Sequence, residues 1–324
     1  MEIIQVIEQP TQLQLSESVK TSGVSVEQLV KAFFESKSPS TLTAYSNDLH
    51  VFRKYLKFKT QKEAVANLLE KSHGAANLAV LNFRAFLIQQ TWSPASINRA
   101  LSAIRSLIEL ANTLGLVSFQ LNVPSIKSRS YRDTKGCGQD GFKALLATAA
   151  AQRQKKAVRD TALLWMLYSP ALRRAEVISL DLKHVDLKTS TVHVLGKGKT
   201  EREKLTMPVQ AIEALKAWLQ VRGDVPGPLF VNCDRAKKGN GRLTPDGLYK
   251  MVKALAAKCN IEARPHGLRH AGITSALDLS KGDVRAVAKF SRHADIRTLT
   301  RYDDNRTDLG GGIAQLVANS AALA

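Results

Sequence analysis

The chain has 324 residues, enough for two domains each with its own core, and its 44% hydrophobic share is ordinary for a globular protein. Forty-seven Lys and Arg against 28 Asp and Glu give a formal charge of +19, which favours a polyanionic partner, nucleic acid above all. The apolar runs are too short to span a bilayer, and there is no signal-peptide pattern, lipidation signal or basic amphipathic terminus, so a membrane role is not expected. Cys137, Cys233 and Cys259 are widely spaced and never form a C-x-x-C pair. That speaks against a zinc site or a disulfide framework and fits a reducing cytoplasm.

Residues 1–23 read as a flexible polar leader. Residues 24–118 read as an all-helical domain. A first helix is expected from Val24 to about Phe34 with Ser25 as its cap. A second, from near Ser40, carries the stripe Leu42, Tyr45, Leu49, Phe52 and Leu56. Shorter and longer helices follow over Lys62–Lys71 and Ala75–Gln90. Ser93-Pro94 then caps and opens a helix with Ile97, Leu101, Ile104, Ile108 and Ala111 inward, ended by Gly115. Arg99 and Arg105 lie off that stripe, facing either solvent or a polyanion.

Residues 119–140, with Pro124, Gly136, Gly138 and four basic residues, read as a basic linker. The second domain, 141–324, starts with helices over 141–151 and 156–168, followed by Arg173 and Glu176 near the start of another helix. Thr189–Leu195 alternates and returns over Glu201–Pro208 through the turn GKGKT, a small β-hairpin. Helices are expected over Val209–Val221 and from Thr244-Pro245 to about Cys259. Residues 264–304 read as helix, turn, helix. The tail from 310 to 324 opens on Gly310-Gly311-Gly312, a hinge, and continues as an apolar segment that wants a partner. The fold class is therefore mainly α with a small β-sheet: an N-terminal helical domain and a mixed α+β domain.

GKGKT is not a phosphate-binding P-loop. With Gly198-Lys199-Thr200 as its end, the first glycine of G-x-x-x-x-G-K-[ST] falls on His193, and a strand rather than a helix follows. What remains is a set read jointly: Arg173 after an apolar helix, Lys197 in the hairpin turn, His266 and Arg269 on one helical face, and His293 nine residues before Tyr302.

The blocks ALRRAEVISLDLKHVD, PHGLRHAGITSAL and SRHADIRTLTRYD, with the H-x8-Y spacing and the turn GKGKTER, resemble the tyrosine recombinases, or phage-type integrases. The resemblance covers nearly the whole chain beyond residue 24. Pro170-Ala171 stand where the family usually has Thr-Gly, and Ser291-Arg292 where it usually has Leu-Gly.

The resemblance implies a core-binding DNA domain followed by a catalytic domain. It implies Arg173 and Arg269 binding the phosphate, His293 adding a hydrogen bond and Tyr302 as nucleophile. His266 would be the base and Lys197 the general acid, with Lys199 its alternative. Glu176 is expected to orient Arg173. It also implies a 3′-phosphotyrosyl intermediate, a Holliday junction, a tetramer on double-stranded DNA with specific sites, accessory proteins as further partners, and no metal or other cofactor. The location implied is cytoplasmic, nucleoid-associated. The rival readings are a catalytically inactive DNA-binding accessory protein and a type IB topoisomerase-like enzyme. The presence of all six side chains argues against the first; the helical first half and the chain length argue against the second.

Overall fold

The computed structural model describes residues 23–127, 136–196, 198–233, 241–293, 295, 296, 299 and 309–322. The chain divides into two compact units, 1–131 and 132–324.

The first unit contains α1 (Val26–Glu35), α2 (Pro39–Tyr55), α3 (Gln61–Leu69), α4 (His73–Gln89) and α5 (Pro94–Thr113). Each begins where a short hydroxyl side chain can accept from the first turn's amides: Ser25, Ser38, Thr60, Ser72 and Ser93 are the N-caps. The expected stripe of α5 is buried, Leu101 and Ala111 completely, against Phe52, Phe83 and Leu87 of its neighbours. Removing side chains of this size from such a core costs on the order of 2–5 kcal/mol each. Arg99 does not sit as a free basic residue. It forms a bidentate pair with the buried Asp48 of α2 at 2.8 and 2.9 Å.

The linker reading of 119–140 is corrected at its start. Phe119, Leu121 and Val123 alternate inward and are buried on the first unit. Side chains of α4 and α5 bind the backbone between them. Asn77 pairs with both Gln120 O and Asn122 N, and Asn98 with both the carbonyl and amide of Ile126. Arg84 donates to Pro124 O at 2.8 Å, and Arg105 donates to Val123 O. The segment is therefore fastened to the first unit as far as Ile126.

The second unit contains α6 (Gly138–Ala150), α7 (Gln154–Tyr168), the short α8 (Arg174–Ile178), β1 (Val185–Asp186), β2 (Thr191–Leu195), β3 (Arg202–Thr206), α9 (Val209–Arg222), α10 (Pro245–Lys258), α11 (Pro265–Leu279), α12 (Val284–Ser291) and α13 (Leu309–Ala322). The strands form an antiparallel sheet in the order β1-β2-β3, with Thr191 opposite Thr206 and Leu195 opposite Arg202. Val192 and Val194 point into the core, which puts His193 on the opposite face of β2. The apolar α7 runs through the middle of this unit, with Leu163, Leu164, Met166 and Leu167 fully buried.

Gly310-Gly311-Gly312, expected as a hinge, lie inside the first turn of α13. That turn's amides need no partner within the helix, so it tolerates residues of low helix propensity better than a helix interior does. Leu316 and Val317 of α13 are exposed, at 64% and 61%. Among the described residues no helix is long and apolar enough to cross a membrane.

Candidate active site

The site is assembled where α7 ends. Gly272 of α11 lies so close to the carbonyl of Tyr168 that any Cβ there would strike the α7 backbone. This contact brings α11 under the loop after α7. Arg269, one turn earlier, is buried to 1% exposure beneath that loop. Its Nη1 donates to Ala171 O and its Nη2 donates to Ser291 O at 2.6 Å. One guanidinium thus fastens the loop 169–173 to the end of α12.

Two residues in these segments hold left-handed backbone: Ala171 at φ 49° and Arg292 at φ 55°. Such geometry favours glycine and costs other residues about 1–2 kcal/mol. For Ala171 the offset is visible: its methyl is fully buried in a small core with Ile273, Val287 and Leu299.

Arg173 stands at the start of α8. The carboxylate of Glu176 accepts its backbone amide at 2.8 Å and its Nη1 at 2.7 Å, while Nη2 donates to Arg292 O at 3.2 Å. Arg292 donates from Nη2 to Glu176 Oε2, the oxygen that also accepts the Arg173 amide, at 2.9 Å and to Ala171 O at 3.3 Å, and from Nη1 to Pro170 O at 3.2 Å. Burial alone would raise the Glu176 carboxyl. The Arg173 amide and the guanidiniums of Arg292 and Arg173 outweigh it and hold the acid below the usual carboxylate range.

His293 Nε2 lies 3.5 Å from Arg269 Nη2, and its Nδ1 lies 2.7 Å from Ser291 Oγ. Ser291 Oγ also donates to Val287 O at 2.7 Å. With the serine proton used there, the imidazole proton belongs on Nδ1 and Nε2 is an acceptor. Burial first, then the charges of Arg269, Arg173, Arg292 and His266, lower the imidazole to about 4, so it is neutral at pH 7.

His266, itself exposed, lies in the first turn of α11, near enough for its charge to act on His293. Arg173, Arg269 and His293 are therefore gathered directly and His266 borders them. Lys197 and Tyr302 lie outside the described residues. Lys199, the alternative to Lys197, pairs with Glu203 at 3.4 Å across the hairpin.

Three guanidiniums surround one carboxylate and a neutral imidazole, a cluster with an excess of positive charge suited to an anion with several oxygens, such as a phosphodiester. Among the described residues no three His, Cys, Asp or Glu side chains gather as metal ligands. Sequence reading registered Ser291 and Arg292 as departures from a familiar pattern but did not place them in the site. The signal available was a long cation where the turn favours glycine.

Residues 138–308 match the phage integrase family. A tyrosine recombinase of Synechococcus elongatus is 36% identical over 289 residues, covering 87% of this chain and 90% of that protein. A tyrosine recombinase of a Synechocystis species is 33% identical over 306 residues, covering 92% and 96%. Among solved structures, the XerH site-specific recombinase bound to its palindromic difH substrate aligns with a TM-score of 0.65 at 18% identity, over 92% of this chain and 87% of that one. The chain belongs to the tyrosine recombinase, or phage integrase, family, and it is a site-specific recombinase.

Proposed function

We propose that this recombinase binds double-stranded DNA at specific sites and cuts and rejoins strands through a 3′-phosphotyrosyl intermediate, with Arg173, Lys197, His266, Arg269, His293 and Tyr302 as its catalytic residues. The observation that carries the reading is the convergence of Arg173 and His293, on two adjoining loops, with Arg269 of α11 beneath them, and positive charge in excess. The Tyr302 phenol oxygen attacks the scissile phosphorus in line, giving its proton to His266. Arg173 and Arg269 donate to the non-bridging oxygens as negative charge gathers there. Lys197 protonates the departing 5′-oxygen, help worth on the order of 10²–10⁴ in rate. The phosphodiester becomes a phosphotyrosyl ester and a free 5′-hydroxyl, so a second 5′-hydroxyl can reverse the step without a metal or a nucleotide.

His293 begins neutral with Nε2 as an acceptor. The incoming phosphate adds negative charge beside it and raises its proton affinity, so the doubly protonated ring can donate through Nε2. Residues 24–118, within the first unit, are assigned to DNA binding and the second unit to chemistry. Four protomers would exchange strands pairwise through a Holliday junction, in integration, excision or resolution of a mobile element or replicon, in the cytoplasm at the nucleoid. The exposed α13 is assigned to contact a neighbouring protomer. Removing 313–324 should then lower the mass of the DNA-bound assembly without weakening single-protomer binding.

The test is a pool of nicked duplexes carrying a randomised window, incubated with the protein and searched for detergent-resistant adducts. Wild type should capture a defined sequence family and Tyr302→Phe should capture none. An adduct formed by Tyr302→Phe would refute the assignment.

A further inference from the structure

Arg292 has no part in the scheme above, yet its side chain is only 8% exposed and sits between both loops. Its position is costly. The backbone at Arg292 is left-handed, and its Nε is buried with no hydrogen-bond partner among the described residues. A guanidinium held under these conditions calls for an explanation other than stability.

The geometry supplies one. An arginine facing a carboxylate prefers the bidentate fork, two parallel donors on two oxygens. Arg173 does not form it with Glu176. The Glu176 oxygen that would take the second donor is already occupied, by Arg292 Nη2 and by the Arg173 amide. Arg173 keeps one side-chain contact to Glu176, through Nη1, and places Nη2 on the Arg292 carbonyl. Both restraints on the Arg173 fork therefore depend on Arg292: its side chain claims the carboxylate oxygen, and its left-handed turn presents the carbonyl. Arg173 stays 30% exposed while Glu176 is 2% exposed, so the remaining Arg173 donors face outward.

We propose that Arg292 is a positioning residue for strand cleavage, acting through Glu176 to hold Arg173 in a single-contact orientation toward the scissile phosphate. This rests on the reading of Arg173 as a phosphate ligand. Without Arg292, Glu176 captures the Arg173 fork on both oxygens, turning the guanidinium inward and neutralising more of its charge.

The variant Arg292→Gly tests this cleanly, because glycine suits the left-handed turn and backbone strain cannot explain a loss. With a duplex recovered from the nicked pool, the single-turnover cleavage rate at saturating protein should fall about ten- to a hundredfold, short of the 10²–10³ for deleting a donor outright. The dissociation constant for the same duplex should stay within about twofold, since the interaction matters in the transition state. In a Glu176→Gln background, the same substitution should cost much less, the non-additivity of two residues that act as a unit. Equal losses in both backgrounds, or no loss, would overturn the proposal. A DNA-independent arm uses guanidinium NMR. The Arg173 guanidinium N–H signals should exchange faster with solvent in wild type, where donors face outward, than in Arg292→Gly, where the fork lies on the buried Glu176 carboxylate; unchanged or faster exchange in the variant would also overturn it. Failure of wild type to form any adduct counts against the recombinase reading instead, and the NMR arm still decides the role of Arg292.

Discussion

In the first unit Arg84 and Arg105 reach from α4 and α5 to the carbonyls of Pro124 and Val123; in the second, Arg269 and Arg292 reach to those of Ala171 and Ser291. The bond type is the same. On the first unit the fastened segment turns apolar side chains inward, and the amides of Asn77 and Asn98 share the work. At the site the fastened loops carry Arg173 and His293, and two guanidiniums share one buried carboxylate. Arginine as a clamp on main chain is thus a general device here. The proposed chemistry falls where a clamped loop itself presents a cation, Arg173, with donors facing outward.

The largest effect expected from breaking this contrast is at Arg269. Arg269→Ala removes both a donor proposed for the phosphate and the tie between the loops. Single-turnover cleavage should fall by about 10²–10³ or more, and denaturant titration should show a loss of about 1–3 kcal/mol from the carbonyl left unpaired. A variant with normal cleavage would remove Arg269 from the site.

His293 gives a pH signature of intermediate size. Its folded value, about 4, lies below the ordinary 6.5, so the unfolded chain binds the proton more readily. The stability this group contributes is present above about pH 6.5 and is lost as pH falls toward 4. The urea midpoint of wild type should therefore drop more over that window than that of His293→Gln. Parallel curves would show that His293 is not held neutral by its neighbours.

The smallest effect is at Arg105. Arg105→Ala should lower stability by about 1 kcal/mol, the typical net worth of a partly exposed hydrogen bond, while the cleavage rate at saturating protein stays unchanged. A slowed chemical step would mean that the two clamps are not separate in function.

Much of the architecture was legible. The stripe of α5, its Ser93-Pro94 start and the hairpin of β2 and β3 follow from local periodicity and capping, which neighbouring residues determine. The fastening of 119–126 was not, because its partners Asn77 and Asn98 lie 45 and 28 residues away and Pro124 with the basic residues reads as a linker. The two-residue β1 is too short to alternate. In the candidate site, Arg173, Arg269 and His293 were picked out by blocks that resemble the family's, and the structure brings the three together. Ser291 and Arg292 were not, since the Arg292 contacts span 116 to 122 residues and depend on how the two loops meet.

The account rests on Tyr302 as the residue that joins the DNA. Wild type and Tyr302→Phe should be incubated with the same nicked duplex pool and the detergent-resistant adduct mapped by peptide mass. Adduct on the peptide containing Tyr302 in wild type, and none in the variant, is the predicted result. Adduct of equal yield in Tyr302→Phe, or one mapping to another residue, would contradict it.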